Sequence, residues 1–254
     1  MKTIELQGTV TALSSIIHNG GESFGISSML RREKFVQPNG DVESIPILSG
    51  NGIRGILRDR GMFHMLSCLG YGIDEEKGEV KGLPLPAFYF LFSGGSLVSG
   101  GGDGIDVDWA RKIKDTIPLV SLFGGAVGNM IMPGKMKIGK LIPIAEETNH
   151  LLPEKFQNDE AQSVWEYVQE EMYTRRDDEK NDRLRQMIAP EIRGLLGDAE
   201  QKHIVKSQAT GGTAQQMMYR VESLVAGTKF YWKVILEDVT EVEFDAFITT
   251  MVQF

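Results

Sequence analysis

The chain has 254 residues, 41% hydrophobic and 24% charged, a composition that can bury a core and excludes a disordered or fibrous protein. Its 27 Lys+Arg against 35 Asp+Glu give a formal net charge of -8, which taken whole argues against a nucleic-acid partner. A single cysteine, Cys68, excludes an internal disulfide or a CxxC metal knuckle and suits a reducing, cytoplasmic setting.

Residues 1–17 alternate like a half-buried strand and lack the apolar core of a signal peptide. No later run of 18 apolar residues occurs, so the sequence predicts a soluble, cytoplasmic protein with no membrane partner. His18-Asn19-Gly20-Gly21 breaks the strand, and a polar stretch follows to about Ser44. A short extended run at 45–48 leads to Ser49, Gly50 and Asn51, which can supply a turn and a helix cap. Ile53, Ile56, Leu57, Phe63 and Leu66 then recur at helical spacing, predicting an amphipathic helix over 52–69.

Residues 83–92 read as a strand, with Pro84 and Pro86 placing its start at an edge. The glycine-rich 94–102 is flexible by composition. A short helix is expected at 108–116, an apolar run at 117–123 and an alternating strand at 135–145. From about 153 to 200 the acidic sequence reads as helical, with Trp165, Val168, Met172 and Leu184 as its apolar contacts. Thr210 through Thr213 (TGGT) leads into two adjacent strands, 217–225 and 228–236, joined at Ala226-Gly227. Thr240 and Glu243 form a capping box that opens a final helix through Phe254.

No 20–50-residue repeat is present. The order of elements predicts an α+β protein with a ferredoxin-like (RRM-like) βαββαβ core on an antiparallel sheet. No strand follows the last helix, so the sequence reads as cut short after Phe254. We expect one domain: a palm core over about 1–70, 83–145 and 217–254, an acidic helical insertion at 146–200, and a thumb-like segment at 201–218.

Charge is unevenly spread. Residues 146–200 hold 15 acidic and 7 basic side chains, a local -8, and the rest of the chain has 20 of each. The neutral remainder can carry basic stripes at Arg31, Arg32 and Lys34, or at Arg54, Arg58 and Arg60, which otherwise read as solvated surface.

Residues 50–55 spell G-x-G-x-x-G, formally a dinucleotide fingerprint. Pro46 inside the preceding run argues against the required central strand, and Asp74 does not end a strand. The more general property remains, since a helix N-terminus with small residues can hold a phosphate. Residues 129–136 lack the first glycine and the Ser or Thr of a P-loop. The four histidines, His18, His64, His150 and His203, show no zinc spacing. Only His18, between a strand end and two glycines, is placed to touch a ligand, and Cys68 reads as a buried structural thiol.

Three segments resemble, in order, those of one known family. Residues 45–58, I-P-I-L-S-G-N-G-I-R-G-I-L-R, resemble a segment of RAMP-superfamily proteins, the ferredoxin-like subunits of CRISPR RNA-guided effector complexes. Residues 118–124 resemble the family's LFG segment, and 219–230 its E-x-x-x-x-G-T-x-F hairpin. The match spans about 5–145 and 217–254 and is closest to the repeated backbone subunit of type IV systems.

The resemblance implies a guide-RNA (crRNA)-binding backbone subunit that oligomerises head to tail along the spacer and supports pairing with target DNA or RNA. Its partners would be guide RNA, copies of itself and other effector subunits. Ser49, Gly50, Asn51 and Arg54 take the place of the helix N-terminus facing the guide backbone, with Arg58 one turn later. His18, Arg31, Arg32 and Lys34 complete the near side of the expected RNA-binding set. Lys202, Lys206, Met217 and Met218 would form the thumb, although both methionines also read as core packing. The loop 18–34 falls where type III relatives hold a cleaving aspartate, near Ser27. No acid lies between Glu22 and Glu33, so the resemblance implies no catalytic residue, metal or cofactor. Two alternatives stay open: an RNA endonuclease using His18 as general base, and a nucleotide-binding enzyme using the 50–55 turn.

Overall fold

Alternation at the N-terminus builds β1 (Lys2–Thr11), which pairs antiparallel along its length with β14 (Lys229–Val239). β14 is the buried centre of the sheet, with Phe230, Tyr231, Trp232, Val234, Leu236 and Val239 all inside. Its other edge takes β10 (Met136–Ile138) and then β11 (Ile142–Pro143), both antiparallel. The computed structural model describes residues 2–24, 27–74, 79–95, 107–127, 130–175 and 217–254, and elements are numbered in chain order within them.

Two compact units result, the first made of 1–13, 32–164 and 227–254 and the second of 14–31 and 165–226. In the first, α1 (Gly50–Cys68) and α5 (Glu241–Val252) pack on one another. A Cβ on Gly61 would lie 2.6 Å from Thr250 Oγ1, so a side chain there would push the helices apart. The sheet order β1-β14-β10, with α1 between β1 and β10 and α5 after β14, is that of the first three strands of a ferredoxin-like core. The fold is α+β on antiparallel sheets. No strand among the described residues pairs with the far edge of β1.

Both predicted helix starts form as their caps demand. The Ser49 hydroxyl accepts the Gly52 N–H at 3.1 Å, and Thr240 and Glu243 make a reciprocal capping box. Around them lie α3 (Val107–Thr116), α4 (Pro118–Phe123) and the two-stranded pairs β4 (Arg32–Val36) with β5 (Val42–Pro46), β6 (Gly72–Asp74) with β7 (Glu79–Lys81), and β8 (Gly125–Val127) with β9 (Met130–Met132). Among the described residues β5 pairs only with β4, so it is no central parallel strand there, and the dinucleotide reading of 50–55 loses its scaffold.

Four expectations are corrected. The strand expected at 83–92 is instead a helix, α2 (Leu85–Ser93), with Pro86 in its first turn and a left-handed Gly94 closing it. Proline early and glycine at the end punctuate a helix, and they outweigh the strand preference of the aromatic run. The described part of the acidic block contains no α-helix. It runs through 3-10 turns at Asn149–Leu151, Glu154–Phe156 and Val164–Tyr167 into β12 (Val168–Arg175). Trp165 and Met172 are exposed there, not helix contacts, and 176–200, with Leu184, lie outside the described residues.

The two strands flanking Ala226-Gly227 do not form a hairpin. β13 (Met217–Leu224) and β14 belong to different sheets. Gly227, at φ +90, donates its N–H to the Ala12 carbonyl at 2.7 Å, while Ala12 N–H reaches the Thr228 carbonyl at 2.9 Å. Those bonds start β14 on β1 instead of turning it back on β13. Finally, the described residues of 18–34 do not form a loop but β2 (Asn19–Phe24), β3 (Ser27–Leu30) and the first half of β4.

The second unit is the sheet β12-β13-β3-β2, in which β13 and β3 run parallel. The Glu222 carboxylate accepts the Leu30 N–H at 2.9 Å. Glu171 accepts hydrogen bonds from Ser223, Tyr173 and Ser15, which hold its carboxyl down to about 2. Among the described residues no helix is long and apolar enough to cross a membrane, which says nothing of a β-barrel.

Candidate anion site at the start of α1

The site begins with buried chain leading into α1. Ile45, Ile47 and Leu48 are buried, and Leu48 exchanges backbone hydrogen bonds with Leu141 at 3.2 and 3.0 Å. This seats the first turn of α1 against β10 so closely that a Cβ on Gly50 would lie 2.6 Å from the Ile138 carbonyl oxygen. Gly50 therefore serves packing first. We expect Gly50→Ala to destabilise the protein by about 1–3 kcal/mol through that overlap. Gly55→Ala, on the same helix with nothing within 4 Å, should instead stabilise it by up to about 1 kcal/mol. Urea unfolding of the two variants checks the contrast; equal effects would mean that close approach does not set the Gly50 position.

Gly124 follows α4 and packs against β9. It holds φ +72, and a Cβ on it would lie 2.4 Å from the Met132 carbonyl oxygen. The start of α1, the ends of α2 and α4, and strands β8 to β10 thus surround an open cavity of about 860 Å³.

Arg54 and Arg58 line this cavity one turn apart on α1. Both guanidinium groups donate to the Phe123 carbonyl, Arg58 at 3.2 Å, and Arg58 also reaches the Gly124 carbonyl at 3.4 Å. These carbonyls end α4, where backbone acceptors have no helical partner and the dipole is negative. Arg58 also lies over the Phe123 ring, 5.7 Å from its centroid.

Neither arginine pairs with a carboxylate among the described residues. Arg54 Nε is buried without an acceptor. Burial, and then the neighbouring charge of Arg54, pull the Arg58 pKa below its ordinary value, with Asp59 a partial offset. Arg58 remains a cation all the same, since arginine does not deprotonate in proteins. Each guanidinium has five donors and uses only some of them on carbonyls. The first turn of α1 holds no acid, so its positive end is not offset either. Two confined positive charges, spare donors and an open helix end suit a bound phosphate or carboxylate.

Of the predicted set, the structure gathers Gly50, Asn51, Arg54 and Arg58 in one cavity, with Ser49 as the cap that orients the turn. The others are elsewhere. Arg32 and Lys34 lie on β4 in the first unit, whereas Arg31 and His18 belong to the second. The Arg31 N–H donates to the His18 carbonyl at 2.7 Å. Burial, and then the charge of Arg31, lower the His18 pKa. Lys202 and Lys206 are outside the described residues, and Met217 and Met218 open β13. Cys68 is exposed, its sulfur 3.6 Å from His64 Nε2 one turn back, which corrects the buried-thiol expectation.

Sequence reasoning missed the cavity residues that come from β9 and β10. Lys137 on β10 lines the cavity and pairs with Glu237 on β14. Ile131, Met132 and Pro133 also line it, Ile131 exposed and Met132 buried. The alternation of residues 135–140 signalled an outward Lys137, but nothing local announced that β9 would face α1. Among the described residues no cluster of three His, Cys, Asp or Glu could hold a metal.

The chain is thus an α+β protein whose first unit has ferredoxin-like strand order and presents an arginine-lined cavity. A solved structure of the same fold is a chain of a Type IV-B CRISPR complex, with TM-score 0.57 and 20% identity over 98% of this chain and 81% of that one. No family model matches this sequence. No curated protein matches it either.

Proposed function

We propose that this chain is a subunit of a CRISPR RNA-guided effector complex that binds guide-RNA phosphates in the arginine cavity at the start of α1. The observation that carries the reading is the pair Arg54 and Arg58, without a carboxylate partner among the described residues, facing an open cavity. The fold likeness to a chain of a Type IV-B CRISPR complex supports the setting. Contacts of this kind grip backbone, not base edges, so sequence is read by pairing between guide and target. Copies repeat head to tail along the guide, since such heterologous contacts generate an open array. The subunit is non-catalytic in this reading, because 23–32 carries no carboxylate to cut RNA.

The test is titration of purified protein with single-stranded RNA at several salt concentrations. The association constant should fall with salt, with a log–log slope of about -0.7 for each phosphate neutralised. RNA incubated with the protein and magnesium should stay intact. Salt-independent or undetectable binding would overturn the RNA reading, and site-specific cutting would overturn its non-catalytic part.

A further inference from the structure

We propose that the open edge of β1 is an interaction surface for a second copy of this chain, the two β1 strands pairing antiparallel and joining two first-unit sheets into one. The inference does not rest on the RNA reading. The direction of the backbone groups follows from β14. Its odd-numbered residues bond toward β10 and β11: the Lys229 and Lys233 carbonyls accept the Ile144 and Gly139 N–H groups, both at 2.8 Å, and the Glu237 N–H reaches the Lys135 carbonyl at 2.8 Å. The even-numbered residues of β14 therefore bond β1, where the register sets them opposite Leu6, Gly8 and Val10. The N–H and C=O groups of Glu5, Gln7, Thr9 and Thr11 point outward, and no strand among the described residues takes them.

Such an edge is ordinarily guarded by lysine, proline or a bulge. Between Ile4 and Thr11 there is no lysine or proline, and the register shift is confined to Lys2–Ile4. Glu5 is the only charge in that stretch, and Lys233 of the same sheet takes up its carboxylate at 2.9 Å. Ile4, Leu6 and Val10 are only half-buried, although Leu236, Val234 and Phe230 opposite them on β14 are buried. Apolar surface at this edge still lies open.

The occupant follows from the edge's own sequence. Centred on Gln7, two copies of β1 pair over the whole strand, with Glu5 facing Thr9 of the second copy and Ile4 facing its Val10. No like charges meet, and apolar side chains face one another on the half-buried side. A two-fold pairing of this kind is closed. β1, at the other edge of the sheet from β10, lines no part of the arginine cavity.

Sedimentation velocity of the purified 254-residue chain over about 1–100 µM tests this. The wild-type mass should rise from 28.2 kDa toward twice that value. Gln7→Lys sets two like charges opposite each other and should stay monomeric over the same range, with an unchanged circular dichroism spectrum. In a Cys68→Ser background, Gln7→Cys should form an intermolecular disulfide on mild oxidation, because directly paired residues have Cα atoms about 5.5 Å apart. Glu5→Cys should not, because its two copies stand roughly 14 Å apart along the strands. A wild-type chain that stays monomeric throughout, association that survives Gln7→Lys, or cross-linking of Glu5→Cys as readily as of Gln7→Cys would each overturn the proposal. None of these measurements contains RNA, so their failure leaves the RNA reading standing, and failure of RNA binding leaves this pairing standing.

Discussion

Replacing Arg54 and Arg58 together by glutamine should lower affinity for single-stranded RNA by roughly a hundred-fold or more. Hydrogen bonds to charged groups contribute about 1.5–3 kcal/mol each, and two such groups are neutralised. Glutamine is chosen over alanine because both arginines donate to the Phe123 carbonyl. An amide can still offer that carbonyl an N–H, so the end of α4 need not be left unsatisfied. The burial of charge that chiefly lowers the Arg58 pKa, and the like-charge contact that adds to it, both disappear in the variant, so thermal stability should be unchanged or slightly raised. The salt slope should fall by about 1.4, two phosphates at 0.7 each. A folded double variant with the wild-type slope would show that phosphate is bound elsewhere.

The second large effect concerns what holds α5 on the sheet of the first unit. Lys135 Nζ lies 2.8 Å from both carboxylate oxygens of Glu243 and 3.1 Å from the Asp238 carbonyl. Glu243 also accepts the Thr240 N–H at 2.7 Å and is 7% exposed. Glu243→Ala removes the capping box and leaves a half-buried lysine facing one carbonyl. Removing one partner of a buried pair costs about 3–5 kcal/mol, and partial exposure of Lys135 places this case near 3. Replacing both residues by Lys135→Met and Glu243→Leu should recover most of the loss, because no buried charge is then left alone.

Acid should erase the difference. Burial pushes the Glu243 carboxyl up, but the bonds from Lys135, Ser121 and the Thr240 backbone together pull it below its ordinary value. A carboxyl whose folded pKa is depressed stabilises the protein above its unfolded pKa, and that contribution is lost as pH falls through the folded one. The wild-type protein should therefore exceed Glu243→Ala by more at pH 7 than at pH 3 in urea unfolding. An equal gap at both pH values would mean that the ionised carboxylate contributes nothing.

Features encoded within a turn or two of chain were legible from residues alone. Ser49 before α1, the Thr240–Glu243 box before α5 and the apolar spacing of α1 all act on backbone groups three or four positions away. The alternation of β1 and β14 likewise needed no partner to be read. Segments whose state depends on a partner were misread. Residues 168–175 become a strand because β13 offers them a full antiparallel ladder. Residues 217–224 and 229–239 part company because Ala12, more than 200 positions away, takes the bonds that would have closed a hairpin.

For the site, the sequence by itself determined that two arginines one turn apart would sit behind a capped, glycine-rich helix start. Only the tertiary structure decided what they face. The Phe123 carbonyl that holds both guanidinium groups is 65 or more positions away, and the Ile131–Pro133 edge of the cavity is further still. Such distances carry no periodicity, because the spacing between contacting residues is set by sheet order, and sheet order is fixed only when the whole core is buried at once.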